Sequence, residues 1–478
     1  MVQSIGFALL AIVAQGDSQA VLRRAQRAQA EFEWSRWAQL PTGRGRSSGC
    51  ADLNAIHIGR FCYTDDGLPP DLPPEPAAIG VSRRRLLQVL DSAAAALPGD
   101  EWIIGQRVRY LVEGGRPAEA LTAARACRSD AWWCEALAGF SLHAAGDTPA
   151  ADSAYSAALR DMPREERCRW NDLSFLVEGR LRKRYRQQTC EQREALEARL
   201  WWLAQPLFSR PGNDRRVEHY ARHTMARMLE HSRSLFDMGF GRDLRELIVR
   251  YGWPTAWTRE PRGVGTTERV VVGHSPEPTH FLPDEADIDS VGKIDTLRPQ
   301  EVYAPAYAAA FTALDPEIAA FRRGDSTLVV AAYDVREDTL FQSSQLTAAL
   351  VLARGESDPF VVERRAQAGL RATVIAMAPW PARLASLEVL TEPRAAGRAR
   401  VALPERNPDA RIALSDLLVF DPPDSLPGDL GDVLPHLRGS ASVPRGSRLG
   451  LYWEAYGLAP AEAVAISVSV QALDKGLL

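Results

Sequence analysis

The sequence predicts an α+β protein of several domains, with repeated helical hairpins in its front half and a β-sandwich in its rear half. Apolar residues spaced for helix faces dominate up to about residue 236, and short apolar runs typical of strands follow after about residue 325. At 478 residues the chain exceeds one ordinary core and fits about three domains of roughly 150 residues each. All six cysteines lie in the front half, so the two halves also differ in their chemistry.

The composition is that of a folded protein without a nucleic-acid partner. Hydrophobic residues make up 46% of the chain and charged residues 25%, which is ordinary for globular domains and argues against extensive disorder. The formal net charge is -4, whereas nucleic-acid-binding domains concentrate basic residues on one surface. We therefore predict no nucleic-acid partner.

The first twenty residues are typical of a signal peptide. Residues 5–14 form an unbroken apolar run, which is shorter than the roughly 20 residues that span a bilayer. Ser18, Gln19 and Ala20 then give the small-x-small pattern of a cleavage site, although no Lys or Arg precedes the run. The alternative is a buried first helix. We predict a cleaved signal peptide over residues 1–20, and hence a periplasmic or secreted protein.

The six cysteines predict three disulfides, which agrees with export. An even number of cysteines at short spacings fits an oxidising compartment. Fifteen pairings of six cysteines exist, and pairing of neighbours is the simplest because each bond then closes one local connection. A zinc site is the weaker alternative since no C-x-x-C pair is present, and buried unpaired cysteines are a third interpretation. The neighbour pairs are Cys50–Cys62, Cys127–Cys134 and Cys168–Cys190.

The front half is predicted to be helical apart from one linker. Residues 21–80 are predicted to form a helix, broken at Pro41, and a proline-rich linker that ends at Pro76. Helical periodicity then covers residues 82–236, with Ser82 as the N-cap of the first helix. Four tryptophans of this region are expected to pack in the core and not to stack on a ligand: Trp132, Trp133, Trp201 and Trp202.

A helical-hairpin repeat lies inside this region. Its spacing has a small residue where two helices meet, a small and an aromatic residue on the second helix, and a closing proline. These positions are Gly139, Ala151, Tyr155, Ala158 and Pro163. A poorer copy precedes it, beginning at Val108. The two copies predict tetratricopeptide-like repeats, an architecture that presents a concave binding surface.

The rear half contains seven short apolar runs separated by Gly, Pro and charged turns. Such runs predict an immunoglobulin-like β-sandwich over residues 321–478, with residues 237–320 as the connecting region. The runs cover residues 328–330, 350–352, 372–376, 387–389, 417–420, 449–453 and 465–470.

One segment between the halves resembles a known family. Five positions lie in the register of the GWxTD tag and of the Tyr-Gly-x-Pro turn that follows it: Gly239, Asp243, Tyr251, Gly252 and Pro254. Phe240 stands in place of the tag tryptophan, and Arg242 in place of the threonine. The segment thus resembles the GWxTD domain of bacterial proteins. Because no biochemical activity is established for that family, the resemblance implies an architecture of helical repeats before a β-sandwich, and no reaction.

The same segment has a helical pattern of its own. Four apolar residues fall on one helical face: Leu244, Leu247, Ile248 and Tyr251. Asp243 and Glu246 are predicted to cap the start of this helix, and Gly252 with Pro254 to end it. The family resemblance implies a strand here, whereas the periodicity predicts a helix.

His219 and His223 are the best candidates for a chemical site. Histidines four residues apart face the same way on a helix and could hold a metal ion. In the zincin motif a Glu follows the first histidine, but Tyr220 occupies that place, and no third ligand is fixed by spacing. The alternative is a pair of surface or hydrogen-bonded histidines on an amphipathic helix.

Two runs of charged residues could each either bind a ligand or simply face solvent. The basic residues 180–186 could contact an anionic partner, but a solvated helix face balanced by Glu191, Glu194 and Glu197 is preferred. The acidic residues 284–289 could bind calcium, but they lack the glycine and glutamate spacing of an EF-hand, so a solvated loop is preferred. The sequence has no G-x-S-x-G elbow, P-loop or complete dinucleotide-binding turn.

The leading functional prediction is an exported interaction or scaffold protein of the bacterial envelope, with a protein or another envelope component as its partner and no cofactor. The rival prediction is a metal-dependent hydrolase that uses the helix of His219 and His223. A third possibility is a protein that binds a lipid surface through residues 180–186.

Overall fold

The computed structural model describes residues 3–43, 55–63, 72–177, 179–261, 269–274, 305, 307–342, 346–356, 358–403, 412–440, 442–443, 445–459 and four single positions beyond. The fold is mixed α+β, with twelve α-helices and several sheets in those residues. The chain divides into two compact units. The first unit contains residues 1–313 and 388–400, and the second contains residues 314–387 and 401–478.

The first unit begins with a long helix and a small hairpin. Helix α1 (Gln3–Gln39) runs without a break through the predicted cleavage site, and Val21 and Leu22 pack against the core. The hairpin of β1 (Ile56–Ile58) and β2 (Phe61–Tyr63) follows. Helix α2 (Ala77–Ala96) packs against α1. The prediction that Ser82 caps this helix is wrong, because the helix starts directly after Pro76, whose ring suits a position next to the helix start.

Two helical hairpins come next, as the periodicity predicts. They are α3 (Glu101–Glu113) with α4 (Pro117–Arg125), and α5 (Ala131–Ala144) with α6 (Thr148–Asp161). Gly139 allows α5 and α6 to approach closely, because a Cβ there would lie 3.0 Å from the ring of Tyr155. Gly146 has a positive φ of 78° in the turn between them, which glycine adopts without strain.

Five further helices complete the helical part of the first unit. They are α7 (Arg164–Asn171), α8 (Gly179–Arg186), α9 (Cys190–Ala204), α10 (Asp214–Leu229) and α11 (Arg242–Tyr251). Helix α10 is central, since it packs against α3, α5, α6 and α11. The four tryptophans predicted to be in the core are buried, with exposures of 2–6%.

Short strands close the first unit. Strands β3 (Ala256–Pro261) and β4 (Arg269–His274) pair antiparallel, and β5 (Ala310–Ala313) pairs parallel with β12 (Ala395–Ala402). The chain enters the first unit again within β11 (Leu384–Thr391) and leaves it within β12.

The second unit is rich in β-structure. Strands β6 (Glu317–Arg323), β7 (Ser326–Asp334) and β10 (Arg371–Ala378) form an antiparallel sheet in the order β10-β7-β6. Strands β8 (Leu346–Ala353) and β9 (Val361–Ala368) pair antiparallel. Two shorter ladders follow, β13 (Ala413–Leu414) with β16 (Ala455–Tyr456) and β14 (Leu418–Phe420) with β15 (Gly450–Tyr452). Helix α12 (Leu430–Val433) packs its apolar side chains with those of β6 and β14.

Six of the seven predicted β-runs lie in strands of the structure. The seventh, residues 465–470, lies half outside the described residues, and the acidic run 284–289 lies wholly outside them. Three long strands were not predicted from the sequence: β6, β9 and β12.

Candidate functional site

Two disulfides join cysteines that are neighbours in the sequence. Cys127–Cys134 closes the loop between α4 and α5, and Cys168–Cys190 ties α7 to the first residue of α9. Cys62 is also disulfide-bonded, while Cys50, its predicted partner, lies outside the described residues. Cysteines bonded to each other carry no thiolate for a metal, so the zinc alternative is wrong for these residues.

The GWxTD-like segment forms the helix α11 that its periodicity predicts. Its four apolar residues are buried against the core, with at most 9% exposure. The predicted capping pair is wrong. Gly241 is the N-cap, Asp243 accepts a hydrogen bond from the neighbouring Leu244 N–H, and Glu246 pairs with Arg250. Asp243 lies inside the first turn and not before it, so its carboxylate turns outward to another partner.

That partner is Arg60, in the turn of the β1–β2 hairpin. The guanidinium donates from Nε to Oδ2 of Asp243 over 2.6 Å and from Nη2 to Oδ1 over 2.8 Å, and the Arg60 backbone N–H donates to Oδ2 over 3.2 Å. These bonds lower the pKa of Asp243 well below its usual range. Gly59 has a φ of 57°, and a Cβ there would lie 2.6 Å from the Asp243 Cβ, so the turn requires glycine. We call Gly59, Arg60 and Asp243 the hairpin clamp.

The other positions of the segment also hold neighbouring elements. Arg60 Nη2 donates to the Gly239 carbonyl over 2.9 Å, and the guanidinium of Arg245 lies 5.6 Å from the centre of the Phe240 ring. The ring of Tyr251 stacks on Tyr63 of the hairpin at 3.7 Å between centroids. Gly252 ends α11 with a φ of 85°, and Pro254 packs against Gly273 of β4. The segment is therefore a packing centre that fixes the disulfide-bonded hairpin to α11.

The structure brings His219 and His223 together, but in the interior of the unit. The ring centroids are 4.6 Å apart, and the side chains are 2% and 7% exposed. Of the alternative of surface or hydrogen-bonded histidines, the surface position is wrong, while His219 is hydrogen-bonded. Indole rings surround them, with Trp201 5.0 Å from His219 and Trp170 5.8 Å from His223. The amphipathic pattern did not reveal this burial, because the helix is covered on nearly every side.

Burial favours the neutral form of both histidines. Burial lowers the pKa of His219 to about 3 and the pKa of His223 well below its usual value. His219 Nε2 lies 2.8 Å from the Trp170 carbonyl, which can only accept, so this nitrogen carries the proton. Nδ1 of His219 and Nε2 of His223 form no hydrogen bond within the described structure. In the part of the chain that the structure describes, no group of three or more His, Cys, Asp and Glu side chains could hold a metal ion.

A buried network of charges, which sequence reasoning missed, joins α1 to α3. Arg109 is fully buried and donates to Glu33 over 3.0 Å and to Glu113 over 2.8 Å. Arg36 donates to the second oxygen of Glu113 over 2.8 Å. Tyr110 donates its hydroxyl to Glu33 over 2.6 Å. Burial opposes the ionisation of Glu113, but Arg109 and Arg36 outweigh it and lower its pKa to about 2. We call these five residues the charge network.

A second buried cluster attaches residues 388–400 to the helical part of the first unit. Arg398 and Arg400 are 4% and 2% exposed and donate to backbone carbonyls of residues 203–206, at the C-terminal end of α9. Cations suit this position because the carbonyls at a helix end carry partial negative charge. Glu388 accepts from the backbone N–H groups of Phe208 and Ser209 over 2.8 and 2.9 Å.

The basic run 180–186 lies on α8. Leu181 and Tyr185 are buried, while Lys183 is exposed, which agrees with the preferred interpretation of a solvated helix face. The predicted balance by nearby carboxylates is partly wrong. Glu197 accepts from the hydroxyl of Tyr185 and Glu191 pairs with Arg164, so neither forms an ion pair with a basic residue of the run.

The chain matches no protein-family model, no curated protein and no solved structure. The GWxTD resemblance therefore stays a prediction. Among the described residues, no helix combines the length and the apolar character that crossing a membrane requires.

Proposed function

We propose that the chain is an exported interaction or scaffold protein of the bacterial envelope, built from tetratricopeptide-like repeats and an immunoglobulin-like sandwich in the manner of the GWxTD family. The observation that carries the proposal is the set of local disulfides. Cys127–Cys134 and Cys168–Cys190 each close a short connection, and Cys62 is bonded as well. Structural disulfides persist in oxidising compartments and are rare in the cytosol.

The packing of α1 supports cleavage of a signal peptide. Val21 and Leu22 pack against the core, and Ala25 is completely buried. Residues 17, 19 and 20 are exposed. Cleavage after Ala20 would thus leave the described core of the first unit intact.

The position of α10 indicates where a partner does not bind. Tetratricopeptide-like arrays bind ligands on their concave side. Helix α10 packs against α3 and α5, the opening helices of both hairpins, and Gln106 of α3 donates to the Met228 carbonyl over 2.5 Å. Arg227 lies 4.9 Å from the ring of Trp132 on α5. Helix α10 therefore covers the side of α3 and α5 that such an array would offer to a ligand. The partner is expected on helices that α10 leaves exposed.

The rival function, a metal-dependent hydrolase, rests on the two histidine nitrogens without a hydrogen bond. A zinc ion held there would need further donors beyond His219 and His223. Zinc that copurifies with the chain in equal amount, and that His223→Ala removes, would favour the hydrolase over the scaffold.

The first test counts thiols in the protein recovered from its native compartment. We expect N-terminal sequencing to begin at Val21, and no thiol to react with a maleimide before reduction. After reduction, all six cysteines should react and the intact mass should rise by about 6 Da, two hydrogens for each disulfide. A variant with Cys127→Ser and Cys134→Ser is the matched control and should react at four positions. Six reactive thiols in the untreated native protein would refute export to an oxidising compartment.

A further inference from the structure

One side of α1 faces solvent and carries cations and exposed indoles together. Arg23, Arg27 and Trp34 follow at spacings of four and seven residues, so they lie along the same side of the helix. Trp34 is 74% exposed and stands about 17 Å along the axis from Arg23. Trp37, one turn further, is 38% exposed. Tryptophan is an amphipathic side chain that is enriched at interfaces, so this side of α1 is a contact surface.

The neighbouring helix adds further positive charge. Arg24 on α1 and Arg84 and Arg85 on α2 are exposed as well. Within the described ranges, none of these arginines, nor Arg23 or Arg27, forms an ion pair. The exposed acid on α1 after residue 20 is Glu31, and Asp91 on α2 is engaged by Arg107. The surface formed by the exposed sides of α1 and α2 therefore has a clear excess of positive charge.

We propose that this α1–α2 surface docks on an anionic lipid bilayer. Arginines near such a bilayer are attracted by its negative surface potential, and tryptophan prefers the boundary between headgroups and acyl chains. A helix that lies in the plane of the membrane turns one side toward the boundary between headgroups and acyl chains along its whole length. Arg23, Arg27, Trp34 and Trp37 lie along one such side, so arginines and indoles would meet this boundary together.

The shape of the surface favours a bilayer over a peptide or a glycan. Peptides bind in grooves or add to sheet edges, and small ligands bind in concave sites. The α1–α2 surface consists of the outer sides of two packed helices, which a planar bilayer can cover. The inference deepens the proposed function and rests on it for the compartment, because export is what brings the protein to the envelope.

The test is co-sedimentation of the disulfide-bonded chain, residues 21–478, with vesicles. We expect binding to vesicles that contain phosphatidylglycerol and not to vesicles of phosphatidylcholine alone, and weaker binding at 500 mM than at 50 mM salt. Replacing Arg23, Arg24 and Arg27 by Glu should lower the partition coefficient at least about tenfold. Trp34→Ala should also lower it, and should abolish part of the quenching of tryptophan fluorescence by brominated acyl chains.

The matched control reverses the charge of Arg180, Lys183 and Arg186 on α8, and this variant should bind like the parent. Loss of binding in the α8 variant alone would overturn the proposal, as would equal binding by all variants. Binding to an anionic polysaccharide without any binding to vesicles would also overturn it. Failure of these tests leaves the thiol count unaffected, so failure of membrane docking and failure of the export proposal are separate results.

Discussion

The charge network and the histidine pair are two buried polar clusters of the same unit, but one surrounds its cation with carboxylates and the other surrounds its titratable groups with indoles. In the charge network, Arg109 is fully buried and stays ionised because two carboxylates lie within 3.0 Å of it. In the histidine pair, indoles surround the rings, and burial lowers the pKa of His219 to about 3. The comparison teaches that burial alone lowers the pKa of a histidine, whereas close guanidinium groups hold the pKa of the buried Glu113 down but do not outweigh burial at Glu33, whose pKa is raised.

The largest effect is expected from breaking the charge network on one side. Arg109→Met removes the cation shared by Glu33 and Glu113 and leaves their carboxylates buried with too few counter-charges. We expect a loss of about 3–5 kcal/mol in the free energy of unfolding, measured by urea denaturation at pH 7. The matched control is Arg107→Met on the same helix, whose ion pair with Asp91 is partly exposed and should contribute less than about 1 kcal/mol. Equal losses in both variants would contradict the special role of the buried network.

The second largest effect is expected in the pH dependence of the free energy of unfolding, which tests whether the histidine pair is neutral in the folded protein. Since the folded pKa of His219 lies below its unfolded value of about 6.5, the unfolded chain binds more protons as the pH falls. Stability is therefore complete above pH 6.5 and is lost progressively between pH 6.5 and 3. We expect a loss on the order of 2 kcal/mol from His219 between pH 6.5 and 5, measured by urea denaturation.

A variant and a contrast in pH window make this test specific. His219→Gln should remove most of this slope, because the amide still donates to the Trp170 carbonyl but does not titrate. The pKa of Glu113 is lowered by Arg109 and Arg36 and not by burial, and its contribution to stability is lost in a lower pH range. With a folded pKa of about 2, Glu113 keeps its contribution until the pH falls below about 4.3. If the variant and the parent lose stability equally between pH 6.5 and 5, the histidines are not the groups responsible.

The same two clusters show what the sequence can reveal. The spacing of His219 and His223 correctly predicts that their rings lie side by side, because four residues make about one helical turn. Their burial depends on Trp170 and Trp201, which come from other helices and leave no signal in the local pattern. In the charge network, Arg109 and Glu113 form a visible i, i+4 pair, but Glu33 lies 76 residues away.

The missed strands have a physical explanation of the same kind. Strand β9 carries a run of exposed charged residues, including Glu363 and Arg364, so its amino-acid sequence does not resemble that of a buried strand. Strand β12 contains two arginines that are buried against carbonyl groups, and sequence patterns take such residues for solvent-exposed ones. Helix α11 was predicted because its whole apolar face lies within ten residues. Local periodicity therefore predicts secondary-structure elements, whereas polar contacts between residues far apart in the sequence cannot be predicted from it.

The smallest effect concerns the hairpin clamp, which lies between the two extremes of the comparison. Asp243 is 17% exposed and Arg60 46%, so solvent screens their ion pair more than it screens the charge network. We expect Asp243→Asn to cost about 1 kcal/mol of unfolding free energy, while Asp237→Asn, in an ion pair that is exposed on both sides, should cost almost nothing. The more informative measurement is hydrogen exchange of residues 56–63, which should accelerate in Asp243→Asn and not in Asp237→Asn. Unchanged exchange would mean that the stacking of Tyr63 on Tyr251 and the bonded Cys62 hold the hairpin without the clamp.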